Sequence, residues 1–247
     1  MRPTRVFAAC LLLASVGACA KSDVKAEPAQ SVAAMLPGAV SKTTVDSPRV
    51  VHVSDMASNA PATGGSRDTA MFAGGCFWSM ERPFAHVPGV VSTTVGYAGG
   101  HTKNPTYEQV NTRSTGHTET VLVEYDPARV SYEKLLDVYW HNIDPITKDR
   151  QFCDGGPDYR TVIFTHGAAQ QAAALSSREA LQKSGRFTMP VVTEVVADAP
   201  FWRGEEYHQH FAERNPGRYD AYRRGCGRDA RLRELWGDAA SPYVPTT

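Results

Sequence analysis

Cys76 lies in the segment Gly74-Gly75-Cys76-Phe77-Trp78, whose residue types could support thiol chemistry. The apolar residues 70–73 predict a strand before it, and the residues after it have a helix-like pattern, which places Cys76 at a strand-to-helix turn. The two glycines allow a tight turn with exposed backbone N–H groups, and the first turn of a helix adds partial positive charge. Both features favour a thiolate, so the sequence predicts a reactive sulfur; an inert cysteine buried in the core is the alternative.

A second thiol decides which chemistry a reactive Cys76 could perform. Acyl transfer would need a histidine base, and the candidates His117 and His141 have no recognisable setting. Redox chemistry would need another cysteine within reach, and Cys226 in Arg224-Gly225-Cys226-Gly227-Arg228 meets that need. Its arginines would stabilise a thiolate, and its glycines would let the segment bend toward Cys76. With Cys153, three cysteines follow the leader, an odd number that a purely structural disulfide framework does not explain.

The elements that must position these thiols alternate between short strands and helices. The predicted strands cover residues 70–73, 90–97, 117–125, 159–164 and 191–196, and the predicted helices cover 77–85, 107–110, 131–142 and 168–184, with a turn leading into a helix at 201–211. The segment 219–235 is rich in arginine and contains Cys226. No internal repeat is visible, so the predicted class is α+β with a mixed sheet. The long irregular segment 144–158 carries Cys153, and long loops inside compact domains are often functional.

The N-terminal residues have the form of an export signal. Two arginines precede a short apolar run, which ends in Val16-Gly17-Ala18-Cys19 and resembles a bacterial lipobox. We therefore predict a signal peptide at 1–19 with lipidation at Cys19, a flexible tether at 20–67, a domain at 68–240 and a tail at 241–247. The protein would be exported to the cell envelope, facing the periplasm and held to the membrane only by its lipid. An ordinary cleaved signal remains the alternative.

The overall composition does not favour a nucleic-acid or membrane-surface partner. The 26 basic side chains balance 26 acidic ones, so charge gives no reason to expect nucleic acid or an anionic membrane surface as a partner. Apolar residues make up 42% of the chain, enough for a sizeable core. The cysteines show no Cys-x-x-Cys spacing, which argues against a zinc site.

Several blocks in one order resemble the peptide methionine sulfoxide reductase A family. They are Gly74–Glu81, Gly96–Gly100, Asn104–Tyr107, Gly116–Glu119, Tyr125–Pro127, and Asp154 with Gly156 and Tyr159-Arg160. The resemblance covers about residues 69–211, with a weaker match near Cys226. It implies a ferredoxin-like α/β plait with long loops, and a monomer that acts on methionine S-sulfoxide, free or in peptides and proteins.

The same resemblance implies a role for each matching residue. Cys76 would attack the sulfoxide sulfur, and Glu119 would protonate the sulfoxide oxygen. Tyr107 and Tyr159 would donate hydrogen bonds to that oxygen, and Asp154 would orient the site. A carboxylic acid can act in this way if a dry, aromatic surrounding keeps it neutral. The resemblance also implies that Phe77 and Trp78 hold the S-methyl group of the substrate.

The family pattern further implies how the oxidised enzyme recovers. Cys76 would become a sulfenic acid, Cys226 would resolve it as a disulfide, and thioredoxin or a thioredoxin-like domain would reduce that disulfide without metal or organic cofactor. Two departures stand out. Many members have Asn where this chain has Cys153, which we interpret as a buried filler or, alternatively, a competing resolver. The distal second cysteine of some members is missing.

Three other functions are compatible with parts of the sequence. A cysteine hydrolase would use Cys76 with a histidine base. A metal-binding lipoprotein would use Glu205, His208, His210 and Cys226. A non-catalytic binding domain would leave the pKa of Cys76 no lower than that of an ordinary thiol.

Overall fold

The computed structural model describes the backbone of residues 50–51 and all of residues 66–237. The predicted signal peptide with Cys19, most of the predicted tether and the predicted tail lie outside the described residues. Within the described part of the chain, no helix has both the length and the apolar character needed to cross a bilayer.

A mixed sheet forms the centre of the described structure. Its seven strands are β1 (Val50–Val51), β2 (Asp68–Gly74), β3 (Val90–Ala98), β4 (Thr118–Tyr125), β7 (Thr161–Thr165), β8 (Glu194–Ala197) and β9 (Phe201–Arg203), in the spatial order β1-β9-β3-β4-β2-β7-β8. Only β7 and β8 pair in parallel, and every other neighbouring pair is antiparallel. The remaining strands, β5 (Arg150–Gln151) and β6 (Asp154–Gly155), form a small hairpin of their own. The predicted α+β class with a mixed sheet is confirmed.

Seven α-helices accompany the sheet in the described residues: α1 (Phe77–Ala85), α2 (Tyr107–Asn111), α3 (Tyr132–His141), α4 (Gly167–Lys183), α5 (Phe211–Arg214), α6 (Pro216–Gly225) and α7 (Arg228–Trp236). Ser131 is the N-cap of α3, as the sequence predicts, because its Oγ accepts a hydrogen bond from Lys134 N at 3.2 Å. Helices α1 and α4 also begin within a residue of their predicted positions.

One predicted helix is wrong. The segment 201–211 begins instead as strand β9, with Trp202 opposite Tyr97 on β3, and continues as a 3-10 turn at Glu206–His208. The aromatic pair Phe201-Trp202 is buried in the sheet, and this packing overrides the helical pattern. The arginine-rich segment 219–235 lies in two helices, α6 and α7, which are separated at Gly227 because a right-handed helix cannot accommodate its φ of +66°.

The core beneath the sheet fixes the strand that leads to Cys76. The ring of Phe72 on β2 stacks on Phe84 of α1 at 4.9 Å and on Tyr139 of α3 at 5.2 Å between centroids. Tyr139 also donates a hydrogen bond to the carbonyl of Ala73 at 2.9 Å. The end of β2 is therefore held by both helices immediately before the glycine turn.

Candidate active site

Close packing permits only glycine in the turn before Cys76. A Cβ at Gly74 would lie 2.6 Å from the Ile143 side chain, and one at Gly75 would lie 2.5 Å from Gln151 Cβ. Gly75 also has a φ of +82°, a conformation that disfavours residues with a Cβ. The predicted strand-turn-helix setting is confirmed, since Cys76 is the N-cap of α1 and its carbonyl accepts hydrogen bonds from Ser79 N and Met80 N.

The predicted acidity of Cys76 is not what the structure shows. Its side chain is only 7% exposed, and this burial raises the pKa of the thiol well above its ordinary value. The carboxyls of Glu119 and Asp154 raise the pKa further, while a hydrogen bond from Tyr222 and the charge of Arg228 lower it. Loss of solvation therefore outweighs the helix terminus, and the sulfur is a neutral thiol when no substrate is bound. A raised pKa consequently does not separate a catalytic from a non-catalytic Cys76.

Glu119 has the surroundings that a proton donor requires. It lies on β4, is 3% exposed, and its Oε2 accepts a hydrogen bond from the backbone N–H of Phe77 at 2.8 Å. Burial raises the pKa of Glu119 well above its ordinary value despite that hydrogen bond, and Asp154 and Asp158 raise it further. The buried carboxyl therefore keeps its proton to a higher pH than an ordinary glutamic acid does, next to the residue that follows Cys76.

The two predicted tyrosine donors reach the same region from different elements. Tyr107 is the first residue of α2, and Tyr159 ends the 3-10 turn Pro157–Tyr159. The pKa of Tyr159 is raised mainly by burial. The charges of four other site residues raise it further, in the order Glu119, Tyr107, Cys76 and Asp154. Tyr159 therefore lies within electrostatic range of each of the other four predicted catalytic residues. Both phenols are half-buried and remain protonated, so their O–H groups can donate.

Glu205 positions one of these tyrosines, and sequence reasoning treated it only as a possible metal ligand. Its Oε1 accepts a hydrogen bond from Tyr107 N at 2.8 Å, and its Oε2 accepts one from the hydroxyl of Tyr97, also at 2.8 Å. Tyr97 is in turn paired with Glu119 across β3 and β4. Glu205 thus ties the start of α2 to the strand beside the proton donor.

An aromatic cluster stands beside the sulfur. Trp78 is half-buried and stacks on Phe211 with 3.7 Å between ring centroids, while Phe77 is 1% exposed. Trp78 Nε1 donates a hydrogen bond to His208 Nδ1 at 3.1 Å, which leaves the ring proton of a neutral His208 on Nε2. Burial lowers the pKa of His208 to about 3, so this imidazole is uncharged and forms part of the apolar wall.

The remaining thiols form a disulfide that the sequence did not predict. Cys153 and Cys226 are bonded to each other, with 4.9 Å between their Cα atoms, and Cys76 is free. The interpretation of Cys153 as a buried filler is therefore wrong. The predicted Cys76–Cys226 linkage is not the one present in this structure, and it stays a prediction for the turning-over enzyme.

Asp154 connects this disulfide to Cys76. Its Oδ1 lies 3.6 Å from Cys153 Sγ, and its Oδ2 lies 3.8 Å from Cys226 Sγ. The same Oδ2 accepts a hydrogen bond from the Tyr222 hydroxyl at 2.5 Å, and that hydroxyl also interacts with the Cys76 thiol. Tyr222 is a site residue that sequence reasoning missed; its place four residues before Cys226, one helical turn away, was the available signal.

Arg228 serves Cys76 rather than Cys226, contrary to the sequence-based expectation. It is 1% exposed, and its Nη2 donates to the carbonyls of Gly74 at 3.1 Å and Asn142 at 3.0 Å. Its guanidinium lies 4.3 Å from the ring centroid of Phe152 and lowers the pKa of Cys76. The other arginine of this motif, Arg224, is exposed.

Two of the alternative functions lose their structural basis. The ring nitrogens of His117 contact Gly100 N and the Thr102 carbonyl, and His141 contacts Asp137, so neither is placed as a base for Cys76. Among the described residues, the group with metal-ligand spacing is Cys153, Asp154 and Cys226, whose ligand atoms lie within 4.8 Å of one another. It is not the set that the metal-binding alternative would use. Two of those ligand atoms are already bonded together, which leaves no thiolate to bind an ion.

Comparisons with known proteins agree with this geometry. Residues 68–240 match the family model described as peptide methionine sulfoxide reductase. A relative from Halalkalibacterium halodurans named peptide methionine sulfoxide reductase MsrA is 51% identical over 69% of this chain and 97% of its own. Another from Caulobacter vibrioides, MsrA 2, is 46% identical over 74% of this chain and 92% of its own.

Solved structures show the same fold. Methionine sulfoxide reductase A of Corynebacterium diphtheriae aligns with a TM-score of 0.54 and 30% identity over 68% of this chain and 92% of its own. Reduced Mxr1 from Saccharomyces cerevisiae aligns with a TM-score of 0.58 and 26% identity over 64% of this chain and 90% of its own.

Proposed function

Because this chain belongs to the peptide methionine sulfoxide reductase family, we propose that it reduces methionine S-sulfoxide, free or within peptides and proteins, to methionine. The observation that carries this function is a buried Glu119, whose pKa is raised by burial, beside a free Cys76 at the adjoining helix start. A sulfoxide oxygen leaves poorly as an anion, so reduction needs an acid that still holds its proton near pH 7. The activity would repair oxidised proteins.

The reaction proceeds at the sulfoxide sulfur. Cys76 Sγ attacks that sulfur while Glu119 delivers its proton to the oxygen, and the hydroxyls of Tyr107 and Tyr159 hold the oxygen by hydrogen bonds. The attack forms a bond between Sγ and the substrate sulfur. That bond and the bond between the substrate sulfur and its oxygen then break as the hydroxyl group passes to Sγ, which leaves Cys76 as a sulfenic acid. The thiol proton replaces the one that Glu119 gave, and methionine leaves. Asp154 keeps the loop of β6 in place through Tyr222.

Substrate selection depends on the apolar wall. Trp78 and Phe77 face the position of the S-methyl group in this proposal, supported by the stack of Trp78 on Phe211 and the neutral His208 behind it. A chiral sulfur that places its methyl group on this wall and its oxygen toward Glu119 can present only one epimer to Cys76.

Recovery of the thiol needs two electrons from outside. Cys226 condenses with the Cys76 sulfenic acid to form a disulfide and water. Thioredoxin or a thioredoxin-like domain then reduces the enzyme, since a dithiol converts a disulfide to two thiols without metal or organic cofactor.

The proposed place of action is the cell envelope. The short apolar run and the lipobox-like Val16-Gly17-Ala18-Cys19 support export and attachment through lipidated Cys19, with the catalytic domain on the periplasmic side as a monomer. A radioactive fatty acid should label the wild-type chain and should not label a Cys19→Ala chain. Equal labelling of both chains would contradict lipidation at Cys19.

A comparison of the two sulfoxide epimers tests the reaction. Reduced protein mixed with a blocked methionine S-sulfoxide should yield methionine, whereas the R epimer should remain unchanged. Cys76→Ser should abolish the product while retaining the fold, which circular dichroism would verify. Turnover of the sulfoxide by Cys76→Ser, or equal reduction of both epimers, would contradict the proposed function.

A further inference from the structure

The disulfide in this structure joins the two cysteines that do not attack substrate. Cys153 and Cys226 are bonded, yet Cys76 is a free thiol. A disulfide that only resolved the Cys76 sulfenic acid would have to include Cys76 itself. The observed pairing is therefore either a fixed structural bond or a later state of the oxidised enzyme.

The three sulfurs share one polar group, which brings them within reach of one another. Asp154 lies 3.6 Å from Cys153 Sγ and 3.8 Å from Cys226 Sγ, and its partner Tyr222 also interacts with the Cys76 thiol. Cys226 Sγ is therefore connected to Cys76 through two groups, the carboxyl of Asp154 and the hydroxyl of Tyr222. A change of partner for Cys226 therefore takes place within one cluster of contacting groups.

The Cys226 segment has the geometry of a hinge. Cys226 ends α6, and Gly227 separates it from α7 with a φ of +66°. Cβ atoms built at Gly225 and Gly227 would meet nothing within 4 Å, so both glycines lie in open space. Side-chain packing is thus absent beside these two glycines, while the backbone N–H groups of Cys226 and Gly227 donate hydrogen bonds within the chain to the carbonyls of Tyr222 and Arg224.

We propose that Cys153 is a second recycling cysteine, and that the Cys153–Cys226 disulfide is the form in which this enzyme awaits its reductant. This inference rests on the proposed function. Cys226 first condenses with the Cys76 sulfenic acid, releasing water. The Cys153 thiolate then attacks Cys226 Sγ; the Cys153–Cys226 bond forms, the Cys76–Cys226 bond breaks, and the Cys76 thiolate leaves and takes up a proton. No net electron transfer occurs in this exchange.

The exchange moves the disulfide from the buried Cys76 to two cysteines that are more exposed to solvent. Cys76 is 7% exposed, whereas Cys153 and Cys226 are both half-buried. A reductant must bring its thiolate into line with a sulfur, so a disulfide between the two outer sulfurs is the more accessible target. The relay also returns Cys76 to its thiol before the reductant arrives.

Counting methionine in the absence of reductant tests this relay. The full chain, with leader residues Cys10 and Cys19 replaced by serine in every variant, is reduced, freed of reductant and mixed with excess blocked methionine S-sulfoxide. A relay frees Cys76 for a second attack, so the parent should form about two methionines per chain and end as a Cys76 sulfenic acid beside a Cys153–Cys226 disulfide.

Serine variants separate the steps. Cys153→Ser should stop at about one methionine with a Cys76–Cys226 disulfide, and its thioredoxin-supported rate should fall about tenfold. Cys226→Ser should also stop at about one methionine, with a Cys76 sulfenic acid that dimedone traps. Cys76→Ser should form none.

Each contrary result has a distinct meaning. About one methionine per parent chain, or an unchanged thioredoxin-supported rate in Cys153→Ser, would overturn the relay and leave a structural disulfide. A Cys76–Cys153 disulfide in Cys226→Ser would overturn the order of the steps. If the parent forms no methionine at all, the proposed function fails, and that result is separate from any failure of the relay.

Discussion

Replacing Glu119 with glutamine removes the proposed proton donor while preserving its main contact. The side chain is 3% exposed and accepts one hydrogen bond, from Phe77 N at 2.8 Å, which a glutamine oxygen can accept equally well. General acid catalysis contributes about 10²–10⁴-fold, so Glu119→Gln should lower the single-turnover rate by about that factor. Rapid-quench measurement of methionine formation gives the rate, and denaturant unfolding should show a change of less than about 1 kcal/mol.

Glu81 supplies a matched control. It is also 3% exposed with a raised pKa, but it contacts Thr93 and His210 N instead of the proposed site. Glu81→Gln should keep the single-turnover rate within about twofold of the parent. The donor form of Glu119 exists below its raised pKa, so the parent rate should lose this contribution as pH rises through that pKa, and Glu119→Gln should lack that decline. Equal rates for Glu119→Gln and the parent would refute the assignment.

The remaining predictions use other matched pairs. Arg228→Lys should destabilise the fold by about 2–3 kcal/mol in urea, because the buried carbonyls of Gly74 and Asn142 lose the Nη2 donor that they share, whereas the exposed Arg224→Lys should change it by less than about 0.5 kcal/mol. Tyr159→Phe should lower kcat about tenfold through loss of one donor to the oxygen, while Tyr132→Phe, whose hydroxyl has no hydrogen-bond partner, should keep kcat. The pKa of Glu81 is raised from 4.5 to about 7, so the contribution of this carboxyl to stability should be fully present below pH 4.5 and should fall by about 3 kcal/mol as pH rises to about 7. Between pH 4.5 and 7, the free energy of unfolding of the parent should fall by about 3 kcal/mol relative to that of Glu81→Gln. The same pH dependence in both proteins would contradict the burial argument.

Local sequence patterns predicted much of the positioning framework. The glycine pair identified the turn at Cys76, and period-two alternation identified the strand that carries Glu119. Such features depend on neighbours a few residues apart. The family resemblance then supplied roles for residues distant in sequence, such as Tyr107 and Tyr159, which periodicity cannot bring together.

Features set by tertiary packing could not be predicted in this way. Burial overturned the expected acidity of Cys76, and no local pattern reports desolvation by distant elements. The bond between Cys153 and Cys226 joins residues 73 apart, and three cysteines allow more than one pairing. The arginine next to Cys226 in sequence lies against Gly74 in space, because α7 turns its side chain inward.

The pairing of β1 with β9 has a consequence for how the domain can be handled. Residues Val50 and Val51 cover the hydrogen-bonding edge of β9 opposite Trp202 and Phe201. Uncovered edges invite strands from other molecules, and β9 is an apolar one. A preparation trimmed to start at residue 66 would expose this edge, and it would tend to self-associate on concentration where a chain retaining the two valines stays dispersed.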